Sequence, residues 1–407
     1  MMLSPVVIRT LQSTTGMAVQ GLARFGYTLV IGRLSGPETL GEITAILSLS
    51  VYMGLLWPAG TSTAATRYYA TSVFAAEGAH AIRRSWLLGT VVLSALIVPV
   101  TLWMTEDLAL AFTSAALMFS YSAYMFTRGE LTGEDRLGWA AVADALSSAL
   151  ALTALLVTTL FKLSWAMLLP LTLGYLLFAV LSRSRTKSKP ADPALKREIF
   201  AFSWRTSVGM LVGGGLLPIT IVFVRGFETP ETAGLFAAAL SLATPASMIS
   251  LALNQVLIPH LARMNPTDRR VFHRRTFVLA SAFFALVFGA LALAAPLIVN
   301  FVYGPTYAGA EHPMRALLLG VYLFSAAAVP SALLLIDGRE RVYARIWLIS
   351  FIVGMTMMAT LSPLVGEWGT LAGYVVGGGG GAVAICVYAL SPTRPARSSR
   401  RSDMVAR

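Results

Sequence analysis

The chain has 407 residues, of which 56% are hydrophobic and only 12% are charged. Soluble domains carry about 25% charged residues, so this composition excludes an ordinary soluble protein and predicts a membrane protein. The formal net charge of +12 does not indicate nucleic-acid binding, because the basic residues recur in short clusters between long apolar runs. The single cysteine, Cys386, excludes an internal disulfide.

Twelve apolar runs along the chain are long enough to cross a bilayer, which requires about 20 residues of helix. In chain order they cover residues 10–32, 40–60, 84–104, 108–127, 138–161, 164–181, 199–224, 233–258, 277–302, 314–336, 342–362 and 368–391. With the N-terminus in the cytoplasm, 25 of the 31 lysines and arginines fall on the cytoplasmic side and 4 outside. This alternation favours an all-α polytopic membrane protein with both termini cytoplasmic.

A repeated motif indicates an internal duplication. Residues 37–49 read "PETLGEITAILSL" and residues 230–242 read "PETAGLFAAALSL", so that eight of thirteen positions agree. Six predicted spans separate the copies, so both halves enter the membrane in the same direction. This predicts two six-helix lobes related by a pseudo-two-fold axis along the membrane normal, a parallel repeat. The predicted boundaries are an N-lobe (1–181), a basic cytoplasmic linker (182–198), a C-lobe (199–391) and a basic cytoplasmic tail (392–407).

Several segments resemble a known transporter family. They are "IGRLSGPETLGEI", "GTSTAATRYYA" and "RGELTGEDRL" in the first half, and "ETPETAGLFAAALSL", "VLIPHLAR" and "FVYGPTYAGAEHPMRALLL" in the second. They resemble the polysaccharide-exporter branch of the multidrug/oligosaccharidyl-lipid/polysaccharide exporter superfamily, the Wzx-type flippases. The resemblance implies twelve helices in two lobes, alternating access, and transport of lipid-pyrophosphate-linked sugars across the cytoplasmic membrane. It also implies a lipid-linked oligosaccharide and membrane lipids as partners, with a polysaccharide polymerase and glycosyltransferases as candidate protein partners.

Arg24 is the main candidate site residue. An arginine near the bilayer centre costs about 2.5–3.5 kcal/mol, so it faces the bundle interior or a water-filled cavity. Gln20 and Arg24 share a polar side of the first predicted helix. We expect Arg24 to line the central cleft and to hold the pyrophosphate of the substrate, because a guanidinium binds phosphate oxygens through two parallel hydrogen bonds. The alternative is a structural arginine that is buried and paired with an acid or a backbone carbonyl, or that is tilted toward a membrane interface.

Other polar residues in or near the spans are weaker candidates for the same cleft. Arg205 and Asp144 lie at similar depths in opposite lobes, which is compatible with a cross-lobe pair, with a proton or cation role for Asp144, or with separate local partners. Arg67 follows span 2 and is either a phosphate contact or an ordinary interfacial charge. Asn254 and Gln255 are suited to hydrogen-bond sugar, although such amides also join neighbouring helices.

Glycines mark two further features. "GGGLLP" places Gly213, Gly214 and Gly215 just before Pro218, which predicts a kink and a candidate hinge in span 7. Gly373, Gly377 and Gly381 recur every four residues in span 12, which predicts a smooth face for close helix packing.

The sequence predicts a transporter and not an enzyme. The four histidines are scattered without zinc-type spacing, the dipeptide Gly-Lys of a P-loop does not occur, and we predict no cofactor and no metal. A multidrug or cation antiporter of the same superfamily is the first alternative. An integral-membrane glycan polymerase or ligase is the second, but it would need a larger external loop. The sequence also leaves open a scaffold that transports nothing.

Overall fold

The computed structural model describes residues 5–70, 75–245 and 266–391, and within these ranges all regular structure is helical. The first seven helices are α1 (Pro5–Leu56), α2 (Pro58–Tyr69), α3 (Ala75–Thr105), α4 (Leu108–Gly133), α5 (Leu137–Leu160), α6 (Leu169–Leu181) and α7 (Pro193–Gly214). They are followed by α8 (Leu216–Phe227), α9 (230–245), α10 (Pro266–Leu293), α11 (Ala295–Val302) and α12 (Glu311–Ala326). The last are α13 (Ala328–Ile336), α14 (Glu340–Val365), α15 (Glu367–Tyr374) and α16 (Gly380–Leu390), with a wide π-turn over Val375–Gly379.

The first helix contains two predicted spans. It has 52 residues, which would reach about 78 Å if straight, more than twice the hydrocarbon thickness. Its backbone breaks at Gly36, where φ is 84° and ψ is 176°. Glycine adopts this left-handed conformation without a steric penalty, and Pro37 then begins the second part of the helix. Predicted spans 1 and 2 therefore lie on either side of Gly36.

The described residues contain eight helices that are long and apolar enough to cross a membrane, or nine when the bent pair of α7 and α8 is one span. This confirms a helical multi-pass protein. Of the remaining predicted spans, one shares α1 with its neighbour, one corresponds to the 13-residue α6, and 233–258 runs into residues outside the described ranges. The count of twelve, the two lobe boundaries and the cytoplasmic termini stay predictions.

Close packing joins helices from the two halves of the chain. A Cβ atom at Gly60 of α2 would overlap the carbonyl oxygen of Ser203 and the hydroxyl of Ser207 in α7, so the two backbones are in direct contact. In the second half, a Cβ at Gly377 would lie 2.5 Å from the Cα of Gly354 in α14. The predicted glycine face of span 12 is thus confirmed as a site of close helix contact.

The basic linker is anchored to the end of α4 by Glu134. Its carboxylate accepts hydrogen bonds from the hydroxyls of Ser184 and Thr186 and from the backbone N–H groups of Arg185 and Thr186. Further along, the N–H of Lys189 donates to the carbonyl of Ala76 in α3 at 2.9 Å. The linker therefore lies against α3 and α4 before α7 begins.

Candidate functional site

Arg24 projects from α1 towards aromatic side chains of α4 and α6. Its Nε donates a hydrogen bond of 3.0 Å to the hydroxyl of Tyr175, and its guanidinium carbon lies 4.9 Å from the ring centroid of Tyr121. The side chain is half-buried, and no carboxylate among the described residues forms an ion pair with it. The charge is therefore met by a phenol oxygen and by aromatic faces, which attract a cation through their quadrupole.

The aromatic wall beside Arg24 consists of Tyr121, Tyr124 and Tyr175. The ring of Tyr175 lies 5.4 Å from that of Tyr121 and 5.1 Å from that of Tyr124, measured between centroids. All three residues are at most 8% exposed. They act mainly as packing that positions the Arg24 guanidinium.

Asp144 of α5 has a local partner. Its carboxylate is fully buried, pairs with the guanidinium of Arg128 of α4, and accepts a 3.1 Å hydrogen bond from the hydroxyl of Tyr124. The Arg128 guanidinium also donates to that hydroxyl, at 2.8 Å. Of the alternatives that the sequence left open, the cross-lobe pair between Asp144 and Arg205 is therefore not formed in this structure, because a nearer cation on the adjacent helix pairs with the acid.

Arg128 was missed as a site residue, because its position just after predicted span 4 assigned it to the cytoplasmic loop. The structure continues α4 to Gly133 and directs the arginine inwards. Tyr175 was also missed, since a single tyrosine in a helix that is 151 residues away from Arg24 gives no signal of the contact. One signal was present in the sequence. An acid within the next predicted span, Asp144, could have indicated that Arg128 points inwards to pair with it.

Gln20 lies on the same side of α1 and within hydrogen-bonding reach of the Asp144 carboxylate. A small cavity lined by Gln20, Tyr27, Ser148 and Tyr175 adjoins it, with room for about one water molecule. Within the described residues the buried hydroxyl of Ser148 has no hydrogen-bond partner. The cavity is too small for a sugar, and Arg24 is not among the residues that line it.

Arg205 lies on an exposed face of α7 and has no ion-pair partner in the part of the chain that the structure describes. Gly209 and Gly213 follow it at four-residue intervals, and a Cβ atom at either would meet nothing within 4 Å. Since residues four apart share one side of a helix, this side of α7 borders open space. Arg205 is thus exposed on that side of α7.

Arg67 lies near the end of α2, which packs on α7. It is exposed, and its guanidinium carbon lies 4.8 Å from the ring centroid of Phe202 and 5.6 Å from that of Tyr68. Burial and a hydrogen bond to Glu198 raise the pKa of Tyr68 to about 12, so its hydroxyl remains protonated. Arg67 and Arg205 therefore lie on two helices that pack against each other, α2 and α7, and neither belongs to the cluster of side chains around Arg24.

The predicted bend in span 7 is present. Gly213 and Gly214 end α7, Gly215 joins the helices, and α8, which contains Pro218, leaves at 67°. Proline cannot donate the backbone hydrogen bond that would continue the helix. A hinge motion at this bend stays a prediction. Asn254 and Gln255 lie outside the described residues.

Comparisons with known proteins give one family match and several structural ones. Residues 139–312 match the family described as "Polysaccharide biosynthesis protein". A search of curated protein sequences found no match.

The structure is similar to an inward-facing multidrug resistance MATE family transporter of the MOP superfamily, with a TM-score of 0.70 and 16% identity over 93% of this chain and 97% of that one. It is also similar to the lipid II flippase MurJ in an inward closed conformation, with a TM-score of 0.75 and 13% identity over 94% of this chain and 88% of that one. A third similar structure is a MOP superfamily transporter from Pyrococcus furiosus, with a TM-score of 0.58 and 16% identity over 94% of each chain. Its binding pocket is described as having reversed polarity that suggests a different function. These likenesses show the fold.

Proposed function

We propose that this chain, a multi-pass membrane transporter of the polysaccharide biosynthesis family within the multidrug/oligosaccharidyl-lipid/polysaccharide exporter superfamily, is a lipid-linked sugar flippase. Its substrate is an isoprenoid-pyrophosphate-linked oligosaccharide, which it moves from the cytoplasmic to the outer leaflet of the cytoplasmic membrane by alternating access. The family match over residues 139–312 and the fold support the resemblance seen in the sequence, and they favour a transporter over an enzyme.

The observation that carries the proposal is the state of the Arg24 guanidinium. An arginine has five N–H donors, and here only Nε has a hydrogen-bond partner among the described residues, the neutral hydroxyl of Tyr175. In the part of the chain that the structure describes, no acid cancels the positive charge. A guanidinium fixed by aromatic rings, with its two terminal nitrogens still free to donate, fits the oxygens of a phosphate group.

Arg67 and Arg205 supply a second basic region on the pair of α2 and α7. Because Arg205 is exposed on α7 whereas Arg24 is half-buried, we assign Arg205 to first contact with the headgroup and Arg24 to the later, more enclosed site. Movement of negative charge outwards is favoured by an inside-negative potential, by about 2.3 kcal/mol per charge per 100 mV.

Translocation of a fluorescent isoprenoid-pyrophosphate-linked sugar in proteoliposomes tests the proposal. We expect Arg24→Glu to reduce the rate at least tenfold, because the substituted side chain repels phosphate and leaves the tyrosines in place. Arg84→Glu is the matched control, since Arg84 is exposed and lies away from this cluster; its rate should stay within about twofold of the wild type. A wild-type rate for Arg24→Glu in correctly inserted protein would overturn the assignment.

The multidrug or cation antiporter is the competing function, because the fold is also that of MATE transporters. A cation site needs an acid that is free to bind it. The two acids buried in the described spans are paired, Asp144 with Arg128 and Glu130 with Arg83 at 2.8 Å. This pairing favours the anionic substrate, and a drug-efflux assay in a sensitised host separates the two functions.

A further inference from the structure

The linker between α6 and α7 carries a row of positive charges with a fixed orientation. Residues 183–189 read "RSRTKSK" and have no regular secondary structure. The basic residues are exposed, whereas Ser184 and Thr186 between them are partly buried and donate to Glu134. This alternation is typical of an extended segment, in which successive side chains point to opposite sides. We call the four cations the basic strip, and they are Arg183, Arg185, Lys187 and Lys189.

Several contacts hold this segment against the helices. In addition to the bonds to Glu134, the carbonyl of Arg183 accepts a hydrogen bond of 3.0 Å from the guanidinium of Arg136. The hydroxyl of Ser188 lies 3.2 Å from Nδ1 of His80 in α3. These contacts use hydroxyls and backbone groups, and among the described residues no carboxylate forms an ion pair with the basic strip. The segment is therefore fixed while its charged ends face outwards.

The basic strip lies at the level where the membrane surface begins. Just before it, the indole N–H of Trp139 donates to the carbonyl of Leu181 at 3.0 Å, and Trp139 is 41% exposed. An exposed tryptophan is typical of the membrane interface. At the other end, His80 precedes the exposed Leu87 by seven residues, or about 10 Å of α3. The headgroup layer is about 5–8 Å deep, and the long side chains of lysine and arginine cover the remaining distance.

We propose that the basic strip binds the phosphate groups of anionic phospholipids on the membrane face where the linker lies. Four cations over seven residues extend about 20 Å, so they can meet several headgroups side by side. Basic residues next to a membrane attract anionic lipids, and this attraction is screened by salt. Because the segment is already ordered, binding costs less conformational entropy than binding by a flexible loop. The proposal does not depend on the transported substrate.

Quenching of a fluorophore beside the basic strip tests the proposal. In a Cys386→Ser background, Pro190→Cys places the fluorophore at an exposed, uncharged position. The protein is reconstituted into phosphatidylcholine nanodiscs that contain spin-labelled phosphatidylglycerol or, at the same mole fraction, spin-labelled phosphatidylcholine. We expect phosphatidylglycerol to associate at least about fivefold more strongly, and high salt to remove this preference. Equal quenching by the two lipids would refute the proposal.

Charge variants show whether the basic strip itself is responsible. Arg185→Gln/Lys187→Gln should reduce the preference for phosphatidylglycerol at least about threefold. Arg341→Gln/Arg345→Gln is the matched control, because it removes the same charge from exposed positions of α14, and the preference should stay within about 1.5-fold of that of the parent. An equal loss in the control would show that only overall charge matters and would overturn the assignment.

Inorganic phosphate distinguishes a lipid site from a site for a free anion. Replacement of chloride by phosphate at constant ionic strength should leave the preference for phosphatidylglycerol unchanged, because screening is then equal and the headgroups are concentrated at the membrane surface. Loss of the preference in phosphate, but not in chloride, would assign the basic strip to free phosphate and contradict the lipid site.

Removal of Glu134 separates an ordered strip from charge alone. Glu134→Ala keeps all four cations and removes one negative charge, so overall electrostatics predicts equal or stronger association of phosphatidylglycerol. If the strip binds as an ordered row, the preference should instead fall at least about twofold, because the hydroxyls and N–H groups of the linker lose their acceptor. An unchanged or increased preference would disprove that docking of the linker forms the site.

Discussion

Replacing Asp144 by asparagine should destabilise the protein strongly. The carboxylate is fully buried and joins Arg128 and Tyr124, and the Arg128 side chain is only 18% exposed. Asparagine keeps the shape and one oxygen acceptor but removes the negative charge that Asp144 presents to the guanidinium. Removal of one partner from a buried ion pair costs about 3–5 kcal/mol, and the slight exposure of Arg128 places the expected loss near the lower end, about 3 kcal/mol.

The free energy of unfolding in mixed micelles measures this loss. The double variant Arg128→Met/Asp144→Leu should recover most of it, because both members of the buried ion pair are then removed together. The cycle formed with the single variants Arg128→Met and Asp144→Leu should give a coupling of at least about 1 kcal/mol. Arg205→Met is the control, since Arg205 is exposed and has no ion-pair partner among the described residues; its unfolding free energy should change by no more than about 0.5 kcal/mol.

The opposite pattern would contradict the structural role. If Asp144→Asn kept the stability of the wild type but lost the pH dependence of translocation, Asp144 would be a proton-carrying group and its pairing with Arg128 would be incidental. Equal destabilisation by Asp144→Asn and by the double variant would also show that the lost charge balance is not the cause.

Three further expectations concern packing and the linker. Gly60→Ala should lower the melting temperature, because the added methyl overlaps the α7 backbone, whereas Gly289→Ala meets no atom and should leave it unchanged; equal melting would contradict the close contact. Gly366→Ala should also destabilise, since φ is +59° and the methyl overlaps the Glu228 carboxylate, and a melting temperature equal to that of Gly289→Ala would argue against it. Burial disfavours the ionised form of Glu134, but hydrogen bonds from the linker outweigh this effect and lower the pKa of its carboxyl. The docked linker therefore stabilises the protein above pH 4.5, and this contribution is lost as the pH falls through the lowered pKa of Glu134. Glu134→Ala should accordingly speed tryptic cleavage within 182–198 at neutral pH, and an unchanged cleavage rate would disprove the anchoring role.

The sequence correctly predicted the features that depend on contact with hydrocarbon and on backbone chemistry. The helices follow from apolar length, and the bend at Gly215 follows from three glycines before a proline. The inward direction of Arg24 was also predictable, since hydrocarbon cannot solvate a guanidinium. The duplicated motif indicated a relation between the halves, although nothing in it revealed that Gly41 of the first copy and Gly234 of the second lie in direct backbone contact.

Partner identities were not predictable, because they depend on how helices rotate against one another. Their similar depths in the membrane suggested Arg205 as a partner of Asp144. However, α4 and α5 are neighbours, and this brings Arg128 closer to the Asp144 carboxylate. The end of α4 was placed several residues too early, and this error moved Arg128 from the protein interior to a loop. Tyr175 contacts Arg24 only because α6 packs into the same bundle, which a single sequence does not specify.

The shortness of α6 affects the surrounding lipid. Its 13 residues extend about 20 Å, whereas the hydrocarbon layer is about 30 Å thick, and Leu173, Leu176 and Val180 are exposed along it. Acyl chains beside this helix must compress, or the preceding turn that contains Trp165 must sink into the headgroup region. Thinner bilayers should therefore accommodate the protein at lower energetic cost than thick, sterol-rich ones.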